Sequence, residues 1–462
     1  MEKVKSTLSE KIYYAFGNMG SYVLWAFVGV YVTVYVTDCL QPGDALISIL
    51  GTVILICRLF DGFSDILMGI IIERTNSKYG KARFWFGVSI IPLTIVFFFL
   101  FFVSGLDKTA SIVTICILYF LFTVIFYTMN NVSFNAMLPR ISNDPFDQSN
   151  ICTIDSVFTS VGGLVSSVAV TILTWFGGVN LQSSWTYLVL ILIAICLLGE
   201  ILCFIKVKEK ANIAVQAKQH QSKADLHKGL KALFKCPYFY IAVSMFAINY
   251  YISLSVSSVG KYFAQYVLGN VNYYSIFGTV PMVSMAVGLL LTPFLVKKIN
   301  KKNTLSIAIG FVLLGNIVGS CFPTSFVAGF VAVMIKGFGS AVVMSQLFTL
   351  APDIVTYIEK KEGIRIEGLA ASANSFGCKI GSGLGSAVVL WTISACGYIS
   401  GAETQNDACL TAFTTLYWWV PTGLTVILLI LSLLWNIQSK TINMPKGNDG
   451  KEASAVAEPQ KQ

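Results

Sequence analysis

GTVILICRLFDGFSDILMGIII, residues 51–72, carries Arg58, Asp61 and Asp65 inside an otherwise apolar run. At about 1.5 Å per residue the run is long enough, as a helix, to cross a hydrocarbon core about 30 Å thick. Each charge would cost about 2.5–3.5 kcal/mol at the centre of an isolated membrane helix. The spacing i, i+3, i+7 places all three on one stripe of that helix, so the stripe must face protein or water. The segment therefore predicts a membrane-spanning helix packed in a bundle, with its charged side turned inward.

The rest of the chain is similar material. It has 462 residues, 55% hydrophobic and 12% charged, with a mean hydropathy of +0.72; a soluble domain carries about 25% charged residues. Apolar blocks predict spans at about 12–36, 45–72, 84–104, 111–137, 151–177, 184–206, 237–268, 272–296, 304–322, 325–351, 367–395 and 411–437. Blocks of this length exclude a β-barrel, whose strands are roughly ten residues of alternating polarity. MEKVKSTLSEK leads directly into the first span, so no cleavable signal peptide is expected.

Of the 32 Lys and Arg, only Lys108 lies in a loop on the side opposite the termini, and Arg58, Lys261, Lys336 and Lys379 lie inside spans. The excess of basic loops predicts that both termini are cytoplasmic, with the chain in the cytoplasmic (inner) membrane. The net charge of +9 follows from this topology, so the partner it implies is the lipid bilayer and not a nucleic acid.

A basic, polar stretch, residues 207–235, divides the spans into six and six: a first bundle over 1–206, a linker, and a second bundle over 236–437. Within the linker, Leu226, Leu230, Leu233 and Phe234 share one helical face, which suits a short helix on an anionic membrane surface or a plain solvated connection. Residues 438–462 are polar and without periodicity, the composition of a disordered tail. The eleven cysteines show no metal-ligand spacing; Cys396 and Cys409 flank the last external loop and could pair. The only histidines, His220 and His227, sit in the linker, so metalloenzyme chemistry lacks ligands. Two acids on one helix are not the facing pair of a membrane protease. No enzyme and no cofactor are expected.

Two carboxylates against one arginine leave negative charge for a proton or a small cation, although a structural ion-pair network is the other reading. RLFDGFSDILMG and NSKYGKARFW closely resemble the signature of the glycoside–pentoside–hexuronide:cation symporters, the family of the melibiose permease and the glucuronide carrier, within the major facilitator superfamily. YTMNNVSFNAMLP and PDIVTYIEKKEGIRIEGLAASANSFGCKIGSG extend the resemblance into both halves. It implies an all-α, twelve-helix major facilitator fold, two six-helix halves around a central cavity, and symport of a small sugar with H⁺ or Na⁺ by alternating access. By resemblance Asp61 and Asp65 are the cation-site carboxylates and Thr128 an added ligand. Ser64 stands where sodium-coupled members carry an amide, Lys379 faces the cation site, and Tyr127 and Asn131 meet the sugar.

The chain departs from the melibiose type at Tyr22 and Asn131, which replace aspartates, and at Asn135 and Met344, which replace tryptophans. Losing two acids while holding Lys261 and Lys336 predicts a more positive cavity and a carboxylate-bearing substrate, unless Lys261 snorkels outward or Lys336 pairs with an acid elsewhere. Arg58 joins the coupling group, and Trp25, Tyr22, Tyr127, Tyr250 and Trp391 are rings that could stack on a sugar. GCKIGSGLGSA, 377–387, predicts close helix approach beside Lys379. Arg74, Lys81, Arg83, Asp353, Glu359 and Arg365 are candidates for cytoplasmic gate pairs. The alternatives are a lipid, lysolipid or other organic-anion transporter of the same superfamily, and a sugar receptor that does not transport.

Overall fold

The computed structural model describes residues 6–103, 105–142, 145–210, 231–362, 367–400 and 402–437. These residues are helical with no strand among them. Among the described residues eleven helices are long and apolar enough to span a membrane, twelve with one bent pair counted as a span. In chain order they are α1 (Leu8–Leu40), α2 (Asp44–Arg74), α3 (Lys81–Leu100), α4 (Lys108–Ile141), α5 (Pro145–Ser167, continued by Ala169–Trp175), α6 (Gln182–Lys206), α7 (Pro237–Val267), α8 (Tyr273–Ile299), α9 (Lys301–Cys321), α10 (Phe326–Glu362), α11 (Glu367–Ala395) and α12 (Asp407–Leu434).

Local chemistry sets several of the ends. Thr7 and Glu10 form a capping box on α1, the Thr7 hydroxyl accepting from Glu10 N (3.3 Å) while the Glu10 carboxylate accepts from Thr7 N (2.9 Å). Asn406 caps α12 by accepting from Cys409 N at 2.7 Å.

Two spans differ from expectation. The fifth bends by 41° between Ser167 and Ala169, where the Ser167 hydroxyl turns back on the Leu164 carbonyl at 2.8 Å and competes with the helical ladder. The tenth runs past 351 to Glu362, because Ile354, Val355 and Ile358 bury one side of a segment expected as loop while Lys360 and Lys361 stay exposed. The expected amphipathic linker helix lies largely outside the described residues, with 231–235 helical. The expected disordered tail lies outside them entirely.

With twelve alternating spans, the described chain enters α1 and leaves α12 on the same face, called here the terminal face; the other is the far face. In the first half α1 packs against α5 and α6, and in the second α7 packs on α11, and α10 on α8 and α9. The halves meet where α2 lies along α11, α5 meets α8, and α1 meets α7.

On the terminal face Lys11 pairs with Asp147 at 2.6 Å, and Ser6 donates to the same carboxylate through its amide (2.8 Å) and hydroxyl (2.6 Å). Burial pushes the Asp147 carboxyl up, but hydrogen bonds from Lys11, Ser6 and Ser142 outweigh it and hold the group well below the usual carboxylate range. A depressed folded-state pKa contributes stability above the unfolded value of about 3.9, lost as pH falls toward the folded value. Asp147→Asn should therefore lower the melting temperature of the solubilised protein at neutral pH. The gap from the native protein should persist down to about pH 4 and close below it, as thermal melts across pH would read directly.

Candidate functional site

The position of the α2 stripe is set by the glycines of α11. Gly377, Gly381 and Gly385 recur every fourth residue and face α7. A Cβ on Gly385 would stand 2.8 Å from the Tyr251 carbonyl oxygen, and one on Gly381 would overlap that of Ala247. Gly383, on another side, faces Arg58 of α2, where a Cβ would meet the Arg58 Cβ at 2.9 Å. The helix thus sits tightly between α7 and α2 and carries Lys379 into the acidic stripe.

Three helices converge there. The Lys379 ammonium pairs with Asp65, donates to the Asp61 carbonyl at 2.8 Å and stands 3.8 Å from Asp61 Oδ2. Thr128 of α4 donates to Asp61 Oδ1 at 2.7 Å, and its hydroxyl lies 3.2 Å from that of Ser64. Arg58 Nη1 is 3.9 Å from Asp61 Oδ2. The Asp61 side chain is 9% exposed and that of Asp65 33%, so Asp65 is the more open acid. Arg58 and Lys379 against Asp61 and Asp65 make the cluster two against two. The spare negative charge expected from the sequence is matched by Lys379, which crosses from the second half.

An aromatic wall adjoins the cluster. Trp25 stacks near Tyr127 (centroids 6.2 Å) and beside Tyr22 (5.9 Å), and the Arg58 guanidinium lies 5.7 Å from the Trp25 ring centre. Asn131, one turn beyond Tyr127, accepts from Asn135 at 3.1 Å. Asn18 of α1 donates to both oxygens of Asp155 at 2.9 Å. Trp391 is committed elsewhere, its indole donating to Thr52 at 3.3 Å between α11 and α2. Tyr250 stacks on Phe246 (centroids 6.5 Å).

Two expected cavity lysines are not brought here. Lys261 is 1% exposed and pairs with Asp38 across α7 and α1 at the far face, so it neither enters the cluster nor snorkels. Tyr398 donates to Asp38 Oδ1 at 2.6 Å and Ser400 to the same oxygen at 3.3 Å. Lys336 holds its ammonium 6.0 Å from the Trp418 ring centre with its backbone against Gly315, toward α12 and α9. Among the described residues its amine has no acidic partner.

Of the gate candidates, Lys81 and Arg83 donate their amides to the Glu209 carboxylate (3.1 and 2.7 Å), and the Arg83 guanidinium donates to the Phe204 carbonyl at 2.9 and 2.6 Å. Asp353 pairs with Lys301 at 3.1 Å. These contacts join helices within one half rather than across the halves. Arg74 and Glu359 are exposed. Arg365 lies outside the described residues.

Sequence reasoning missed Asp38, which it left beyond the first span. The available signal was positional: Asp38 and Lys261 both sit near the far ends of the first helix of their halves. It also gave no partner for Glu200, fully buried and accepting from Asn130 at 2.7 Å.

A family model described as MFS/sugar transport protein matches residues 13–439. The isoprimeverose transporter of Lactiplantibacillus pentosus is 27% identical over 98% of this chain and 94% of its own length. The glucuronide carrier protein homolog of Escherichia coli (strain K12) is 24% identical over 91% of this chain and 90% of its own. A crystal structure of a D-xylose-proton symporter superposes with a TM-score of 0.64 at 14% identity, covering 95% of this chain and 98% of that one. That likeness establishes the major facilitator fold.

Proposed function

We propose, for a chain that belongs to the MFS/sugar transport protein family, that it couples the movement of an uncharged sugar to a monovalent cation bound at Asp61 and Asp65. The chain is a secondary sugar transporter of the membrane and not an enzyme. The observation that carries the coupling site is Lys379: an ammonium from the second half balances the two carboxylates of the first. A proton or Na⁺ arriving at the acids takes over that role and frees Lys379. The carboxylates with the Thr128 and Ser64 hydroxyls supply the oxygen ligands a hard cation takes. Cation and sugar raise each other's affinity by linkage, typically by about 1–3 kcal/mol.

The sugar lies against Tyr22, Trp25 and Tyr127, with Asn131 and the Asn18–Asp155 pair offering hydroxyl partners. Asp38 neutralises Lys261, and Lys336 turns toward α12, so neither lysine offers its charge to an anionic cargo. The basic loops make the terminal face cytoplasmic, so the joined far face is the outer one.

Membrane vesicles given a labelled neutral glycoside or its glucuronide, under a proton or a sodium gradient, test this reading. The neutral sugar should accumulate under one of the gradients and exceed the glucuronide. Preference for the glucuronide would remove the uncharged cargo, and no accumulation under either gradient would remove the coupling.

A further inference from the structure

Cys396 follows directly on α11 and Cys409 lies in the first turn of α12. Their sulfurs face one another at 2.7 Å, and the Cys409 thiol also lies 3.2 Å from the Cys396 carbonyl oxygen. Contacts independent of sulfur hold this neck. Asn406 bridges it, donating to the Cys396 carbonyl at 3.0 Å while accepting from Cys409 N at 2.7 Å. Within the loop Gln405 makes a two-way pair with the Ile399 backbone, at 3.0 and 2.6 Å. We propose that Cys396 and Cys409 are joined by a disulfide that staples the neck of the far-face loop.

Polar contacts have already fixed the approach of the two chains, so the bond adds little further ordering. Cys409 is buried and Cys396 half-buried, which admits an exchange reagent to Cys396 first and then shields the product. The oxidant is an external disulfide, small or carried by an oxidoreductase. The Cys396 thiolate attacks it, one thiol leaves, and the Cys409 thiolate displaces the second. The pair gives up two electrons and two protons, and the reagent departs as two thiols. The stapled loop presents Tyr398 and Ser400 to Asp38, so the bond fixes in place the second-half groups that grip the first half at the outer face.

The test is independent of transport and of the cation site. Full-length protein in native membranes is denatured in SDS and labelled with a polyethylene glycol maleimide, with and without prior phosphine reduction. Nine labels are expected before reduction and all eleven cysteines after it. Cys396→Ser and Cys409→Ser should each give ten labels under both conditions. Peptide mapping of the unreduced protein should recover the 396–409 cross-link. Eleven labels without reduction, or either cysteine linked to a different partner, would overturn the proposal.

Discussion

Asp65→Asn is expected to bring gradient-driven accumulation down to equilibration while labelled-for-unlabelled sugar exchange continues. A potential of 100 mV supplies about 2.3 kcal/mol per charge moved, and about 1.4 kcal/mol corresponds to a tenfold ratio, so one cation with a neutral sugar sustains roughly fiftyfold accumulation. The variant should fall to a ratio of about one. The amide removes the charge that Lys379 and the cation exchange between them, leaving Lys379 with Asp61 at 3.8 Å and the Asp61 carbonyl at 2.8 Å. The sugar wall of Tyr22, Trp25 and Tyr127 is untouched, which is why exchange should survive. Asp61→Asn should lose accumulation too, and more of its folded yield, because the buried Arg58 guanidinium would keep no acid within 4 Å. Native accumulation by Asp65→Asn would dismiss these acids as the coupling site.

How far the sequence could be read depends on whether the partner groups are local. Arg58, Asp61 and Asp65 announce themselves, since three charges in one apolar helix have a spacing and a cost that need no partner to be noticed. The glycines of 377–387 were legible for a similar reason: a repeat of small residues states that another backbone comes close, although not which one. Thr128 and Lys379 came only through resemblance, because nothing local to α4 or α11 points to α2. The misreading of Lys261 has the same root. Its acid lies 223 residues away, past the last apolar residue counted into the first span, so a charge inventory restricted to spans left the lysine unpaired. The gate candidates were hard to read for another reason. Charge density on the terminal face was visible, but Glu209 takes three amide donors at the start of α3, a helix-end role that side-chain counting does not foresee.

Lys261→Ala is expected to move the resting carrier from a closed to an open far face. Removing one partner of a buried ion pair costs about 3–5 kcal/mol because the other charge is left without compensation. Here that penalty applies only while the far face is closed: once α1 and α7 separate, Asp38 returns to water. The penalty is thus a difference between two conformations, and at about 1.4 kcal/mol per tenfold it shifts their ratio by roughly a hundredfold to a few thousandfold. The Tyr398 and Ser400 hydroxyls still donate to Asp38, which places the outcome toward the lower figure. Cys39, half-buried beside Asp38, reports the change. Labelling by a membrane-impermeant maleimide, followed at the Cys39 peptide by mass spectrometry, should be slow in the native carrier and fast in the variant. Asp38→Asn combined with Lys261→Met removes both charges and should return the rate toward native, since a neutral pair can occupy the closed interface without an orphaned ion. If the double variant labels as fast as Lys261→Ala, lost packing rather than unbalanced charge opens the face, and the ion pair is not what holds it shut.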